Sequence, residues 1–123
     1  MSNKSNIRLD IELNEEKIPV DIKWSASTKD GEEACKAFML SIFEKKTKET
    51  LKIDLWTKDM QVMEMDRFFF HTLRSMTETY FKATQNKDLA RDMHAFVEYF
   101  GEKTGIIPTA EGNKAPEDPK TPS

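Results

Sequence analysis

Residues 51–73 read LKIDLWTKDMQVMEMDRFFFHTL, and within them one periodicity replaces another. Leu51, Ile53, Leu55 and Thr57 alternate with Lys52, Asp54 and Trp56, the period of two that a half-buried strand requires. From Val62 onward, Met65, Phe69, Leu73, Met76, Tyr80 and Ala83 recur at steps of four or three, which predicts one apolar stripe along a helix of about six turns. A strand that gives way to a long helix within a few residues points to an α+β fold. Asp59 stands just ahead of the stripe as the predicted N-cap. Phe68 widens the stripe. Phe70 falls roughly opposite it, near Met63, as a second and smaller apolar patch.

Three more strands precede this junction. Ile7, Leu9, Ile11 and Leu13 alternate with Arg8, Asp10 and Glu12. After the polar turn at residues 14–17, Ile18, Val20, Ile22, Trp24 and Ala26 resume the alternation, so the two segments form an antiparallel hairpin. Pro19 lacks an N–H and belongs at a strand start or on an edge. Residues 27–33 are a polar loop with room for a helical turn before Ala34. Residues 37–43, AFMLSIF, are apolar on both faces. Helices of the same chain can cover one of those faces. The other needs a second chain or a bound ligand, unless the loop at 27–36 caps Met39 and Phe43. The basic loop Lys45, Lys46, Lys48 joins this strand to residues 51–57 as a second hairpin.

A second helix follows residues 84–86, with Asn86 as its cap and Leu89, Met93, Phe96, Val97 and Phe100 as its stripe; Gly101 or Gly105 ends it. The expected architecture is a four-stranded antiparallel sheet of two hairpins, packed on one face by the two C-terminal helices. Its core would join Phe69, Leu73, Phe96 and Phe100 to Leu9, Ile11, Ile22, Ile53 and Leu55. Residues 1–107 would form one domain. Four of the five prolines lie from residue 108 onward, where nothing apolar larger than Ala occurs, so 108–123 is an expected disordered tail.

Composition restricts the function. At 123 residues the chain is one domain's worth. Its 19 basic and 22 acidic residues leave a net charge of −3, without the concentrated positive charge that nucleic acid demands. No stretch reaches the ~18 consecutive apolar residues of a membrane span, and the N-terminus has no signal-peptide pattern. One cysteine, Cys35, permits no internal disulfide, and with no base beside it reads as a small, partly buried thiol. A cytoplasmic protein without membrane insertion is the simplest expectation.

Catalytic spacing is missing throughout. His71 and His94 fall on different helices, with no His or Cys at i+3 or i+4, so no metal is expected. Asp10, Glu12, Asp21 and Asp54 lie on polar strand faces where Arg8, Lys23 and Lys52 can pair with them. The glycines are scattered at 31, 101, 105 and 112, so no phosphate loop is formed and no cofactor is expected. Protein-interaction candidates are Met39, Phe43 and Trp56 on the strands, and Met60, Met63 and Phe70 around the helix start.

The segments LKIDLWTKDM at 51–60 and MDRFFFHTL at 65–73 resemble the GldC family of Bacteroidetes gliding-motility proteins, with weaker support from Ile22-Lys23-Trp24 and from VEYFGEK at 97–103. The resemblance spans nearly all of residues 7–103. It implies a soluble, cytoplasmic, non-enzymatic accessory of gliding machinery, with gliding or secretion components as protein partners. It assigns no catalytic residues. Four antiparallel strands followed by two helices is also the element order of SecB-type export chaperones, and no motif carries that likeness. The alternative it implies is an oligomer that holds export clients on apolar surfaces. A homo-oligomer is expected because a second copy could cover the two-sided strand at 37–43, and that strand and the acidic charge agree with the export-chaperone order.

Overall fold

The structure, a computed structural model, describes residues 3–108; the tail expected at 109–123 lies outside the described residues. The chain divides into two compact units, residues 1–60 and residues 61–123.

The first unit holds five strands. β1 (Ile7–Leu13) and β2 (Pro19–Ala26) are antiparallel, with Arg8 opposite Ser25, Asp10 opposite Lys23 and Ile11 opposite Ile22. Asn14 closes their turn, its side-chain oxygen accepting from the N–H groups of Glu16 at 2.8 Å and Ile18 at 3.1 Å. Pro19 opens β2, a strand-start position where its missing N–H costs least. Ile22, at the middle of β2, has 0% exposure.

β3 (Glu33–Cys35) was not expected. Its three residues show no apolar alternation, and pairing with β2 (Ile22 opposite Cys35, Trp24 opposite Glu33) holds them extended. β4 (Ala37–Phe43) and β5 (Thr50–Trp56) then pair from Ala37 opposite Trp56 to Phe43 opposite Thr50. The strands therefore form two antiparallel sheets, β1-β2-β3 and β4-β5, where a single four-stranded sheet was expected. The break is Lys36, the one residue between β3 and β4. Its carbonyl accepts from the Thr57 N–H at 2.8 Å, so the bent strand leaves β2 and continues along β5. The four-strand order behind the SecB likeness is replaced by five strands.

The second unit is a pair of helices, α1 (Val62–Thr84) and α2 (Lys87–Thr104). Gln61, not Asp59, is the N-cap of α1, and the Glu64 carboxylate accepts from the Gln61 N–H at 3.0 Å. Asp59 instead accepts from the Thr57 hydroxyl at 2.6 Å, within the turn that follows β5. Asn86 caps α2 as expected, accepting from the Leu89 N–H at 3.2 Å. Gly105 ends α2 at φ 80°, and the Ile106 N–H reaches back to the Gly101 carbonyl at 2.9 Å.

Gly101 has another task. A Cβ built there would lie 2.7 Å from Phe70 Cε1 and 2.8 Å from Ile107 Cγ1, so a side chain of α1 lies hard against the backbone of α2. The seam between the helices buries Phe70 and Thr77 of α1 and Ala90, Val97 and Gly101 of α2. The Thr77 hydroxyl is satisfied by donating to the Leu73 carbonyl at 3.0 Å. The expected stripes run beside this seam. Phe69 is 39% exposed, Met76 55%, Leu89 45% and Phe96 52%. Each stripe sits about a quarter turn around its helix from the seam, and in an antiparallel pair both fall on the same side.

Candidate functional site

The β4–β5 sheet carries the densest exposed apolar surface of the first unit. Antiparallel partners share a face. Phe38, Leu40 and Ile42 therefore lie with Leu55, Ile53 and Leu51 on a face made of apolar side chains alone. Met39 and Phe43 lie on the other face, with Trp56, Ser41 and the ion pair of Lys52 with Asp54. Phe43 is 67% exposed and Trp56 53%, while Met39 is half-buried. Three of the sequence-predicted interaction residues thus come together on one mixed face.

The other three do not join them. Met60 is half-buried in the turn after β5, where its N–H donates to the Thr57 carbonyl at 3.1 Å. Met63 is 78% exposed on the first turn of α1, in the second unit. Phe70 is 4% exposed and belongs to the helix seam. It lies about a quarter turn from the stripe, closer than the expected opposite side, and the seam forms on this smaller apolar patch because a glycine and an alanine of α2 allow close approach there.

Concave regions among the described residues include two beyond this face. A depression of about 260 Å³ beside Trp56 is lined by Ile18, Pro19, Asp54, Leu55 and Lys58, and the Lys58 N–H donates to the Pro19 carbonyl at 3.1 Å. It is smaller than ordinary small-molecule sites, which begin near ~300 Å³. An open groove of about 680 Å³ runs along α1 past Phe68, Thr72, Met76, Thr79, Tyr80 and Ala83, on the side of the helix away from Phe70. Of these residues, the sequence pattern had marked Phe68, Met76, Tyr80 and Ala83 as stripe. The intervening Thr72, Ser75 and Thr79 gave no signal, being polar and of no fixed period.

The acidic residues serve the strands. Asp10 accepts from Arg8 Nε at 2.9 Å, and Asp21 from Lys23 Nζ at 3.0 Å. Asp54 is held by Lys52. The hydrogen bond and charge of Asp21 raise the Lys23 pKa, the mark of a settled ion pair. Each of these carboxylates is thus engaged by a cation two residues away on its own strand, where it stabilises a polar face. Burial pushes the Cys35 thiol up, away from the thiolate a nucleophile needs. Among the described residues no group of three His, Cys, Asp or Glu side chains can hold a metal ion, and no helix is long and apolar enough to cross a membrane.

The chain is thus α+β, with Phe43 and Trp56 exposed on one face of β4–β5 and with Asp10, Asp21 and Asp54 each paired to a neighbouring cation. The family model described as gliding motility-associated protein GldC-like matches residues 19–106, from the start of β2 to just past α2. The chain belongs to the GldC-like family, which is associated with gliding motility. Among curated proteins and among solved structures, none matches the chain.

Proposed function

We propose that this chain is a non-enzymatic accessory of bacterial gliding, an adaptor or assembly factor that works through protein–protein contacts in the cytoplasm as a homo-oligomer. Family membership supplies the process. The observation that carries the mode of action is the mixed face of the β4–β5 sheet, where Phe43 and Trp56 stand exposed beside half-buried Met39 and the Lys52–Asp54 pair. Exposed aromatics and methionine flanked by polar groups are the composition of an interface centre with a polar rim. Components of the gliding or secretion machinery are the partner class.

The test is complementation of a gliding bacterium that lacks this protein. Variants Trp56→Ala and Met39→Asp, shown to be folded by circular dichroism, should fail to restore colony spreading and should lose a machinery component that the unaltered chain captures. Neutralising an ion-paired carboxylate outside this face (Asp21→Asn) should leave spreading intact. Full spreading and full capture by both hydrophobic-face variants would reject this surface.

A further inference from the structure

The outer edge of β1 is built for self-recognition. β1 has β2 on one side and no strand on the other among the described residues. The Asn6 carbonyl accepts from the Ser27 N–H at 3.0 Å, and the ladder alternates from there. The peptide groups of Arg8, Asp10 and Glu12 therefore face β2, and those of Ile7, Leu9, Ile11 and Leu13 face outward. The extra residue at the end of the β1–β2 ladder is Val20, on β2, so β1 itself stays regular. It has no proline and no bulge of its own, and its three charges, Arg8, Asp10 and Glu12, are of mixed sign and so can pair across a two-fold axis.

We propose that β1 pairs antiparallel with β1 of a second copy of this chain, about a two-fold axis at Asp10. In that register Arg8 of each copy stands opposite Glu12 of the other, Leu9 opposite Ile11, and Ile7 opposite Leu13. All seven residues of the strand find a partner. The one like-charge pair, Asp10 with its symmetry mate, is offset by Arg8, which holds Asp10 at 2.9 Å. A parallel, in-register pairing would set Arg8, Asp10 and Glu12 each against its own copy, which repels at every polar position. The order basic, acidic, acidic along one face thus selects the antiparallel two-fold pair. The inference rests on the homo-oligomer reading above and gives it a surface.

The test uses the full chain with Cys35→Ser, so that only introduced cysteines react. Residue 10 would meet its mate as a non-hydrogen-bonded pair with Cα atoms about 4.5 Å apart, within disulfide range. D10C should therefore form a disulfide-linked dimer in a glutathione buffer. E12C alone should not, and R8C mixed with E12C should. Without cysteines, R8E should weaken the dimer roughly tenfold, and R8E/E12R should restore it. A dimer by light scattering in which D10C does not cross-link overturns this interface and leaves the oligomer reading standing. A monomer at every concentration overturns both, while the gliding test of the β4–β5 face stands apart.

Discussion

The two units bury very different things. The helix unit has a continuous seam in which Phe70, Thr77, Ala90, Val97 and Gly101 are buried. In the strand unit only Ile22 and Thr57 are among the described residues, although its strands carry more branched apolar residues. Ile53, Ile42 and Leu51 stay 42%, 45% and 56% exposed on the all-apolar face of β4–β5. Two helices can close on each other through small residues, because close approach lets a few side chains exclude water. A two-stranded sheet has no such option, since both of its faces remain open until something else lies on them.

The strongest way to break this comparison is to remove the seam's one large side chain. Phe70→Ala should cost about 3–5 kcal/mol, as deletion of a buried aromatic does. Phe69→Ala, one residue away and 39% exposed, should cost only about 1–2 kcal/mol. Urea melts of the two variants decide it. Equal losses would mean that the stripe carrying Phe69 is as well covered as the seam.

That pair of residues also shows what periodicity can and cannot read. The alternation in β1, β2 and β5 and the continuous apolar run of β4 located every long strand, and where a period of two is present it sets the face of each residue whatever lies against it. The stripes on α1 and α2 marked the widest apolar face, and they meet the line of helix contact at Val97, while Phe70 came from the smaller patch. That line runs through Thr77, Ala90 and Gly101, residues too small or too polar to register as hydrophobic, and its geometry is set by backbone approach. β3 was illegible for a related reason: Glu33, Ala34 and Cys35 are extended by pairing with β2, a tertiary cause. The mixed face was half legible. Met39, Phe43 and Trp56 stood out by type, but only the β4–β5 register shows that they share a side.

A smaller change sharpens the same contrast from the other helix. Gly101→Ala ought to be favourable by about 1 kcal/mol in an isolated helix. Here the new methyl would sit 2.7 Å from the Phe70 ring and 2.8 Å from Ile107, and overpacking typically costs about 1–3 kcal/mol. A net loss of roughly 1 kcal/mol is expected in thermal or urea melts. A net gain would show that the Ile107 side chain and the Phe70 ring yield freely, and that the seam is looser than a packed core. The double variant with Phe70→Leu should recover much of the loss, because the two residues share one contact.

The smallest effect lies in the strand unit, where the second buried residue is polar. Thr57 is 4% exposed, and its hydroxyl donates to Asp59 at 2.6 Å. That hydrogen bond, assisted by the charge of Lys36, holds the Asp59 carboxyl below the ordinary carboxylate range. A carboxyl depressed in the folded state contributes stability that is present above its unfolded pKa, near ~4, and lost as pH falls through the folded value. The unaltered chain should therefore be more stable than Asp59→Asn at neutral pH, and the two should converge as pH drops below about 4. Thr57→Val should weaken the same acid-side dependence by removing the donor. The charged neighbours of Phe70 are the Arg74 guanidinium and His71, neither of them a carboxylate, so the loss caused by Phe70→Ala should not change across that window. Parallel curves for the unaltered chain and Asp59→Asn would mean that the turn after β5 is held by its backbone bonds, such as the 2.8 Å bond from the Thr57 N–H to the Lys36 carbonyl, and not by the carboxylate.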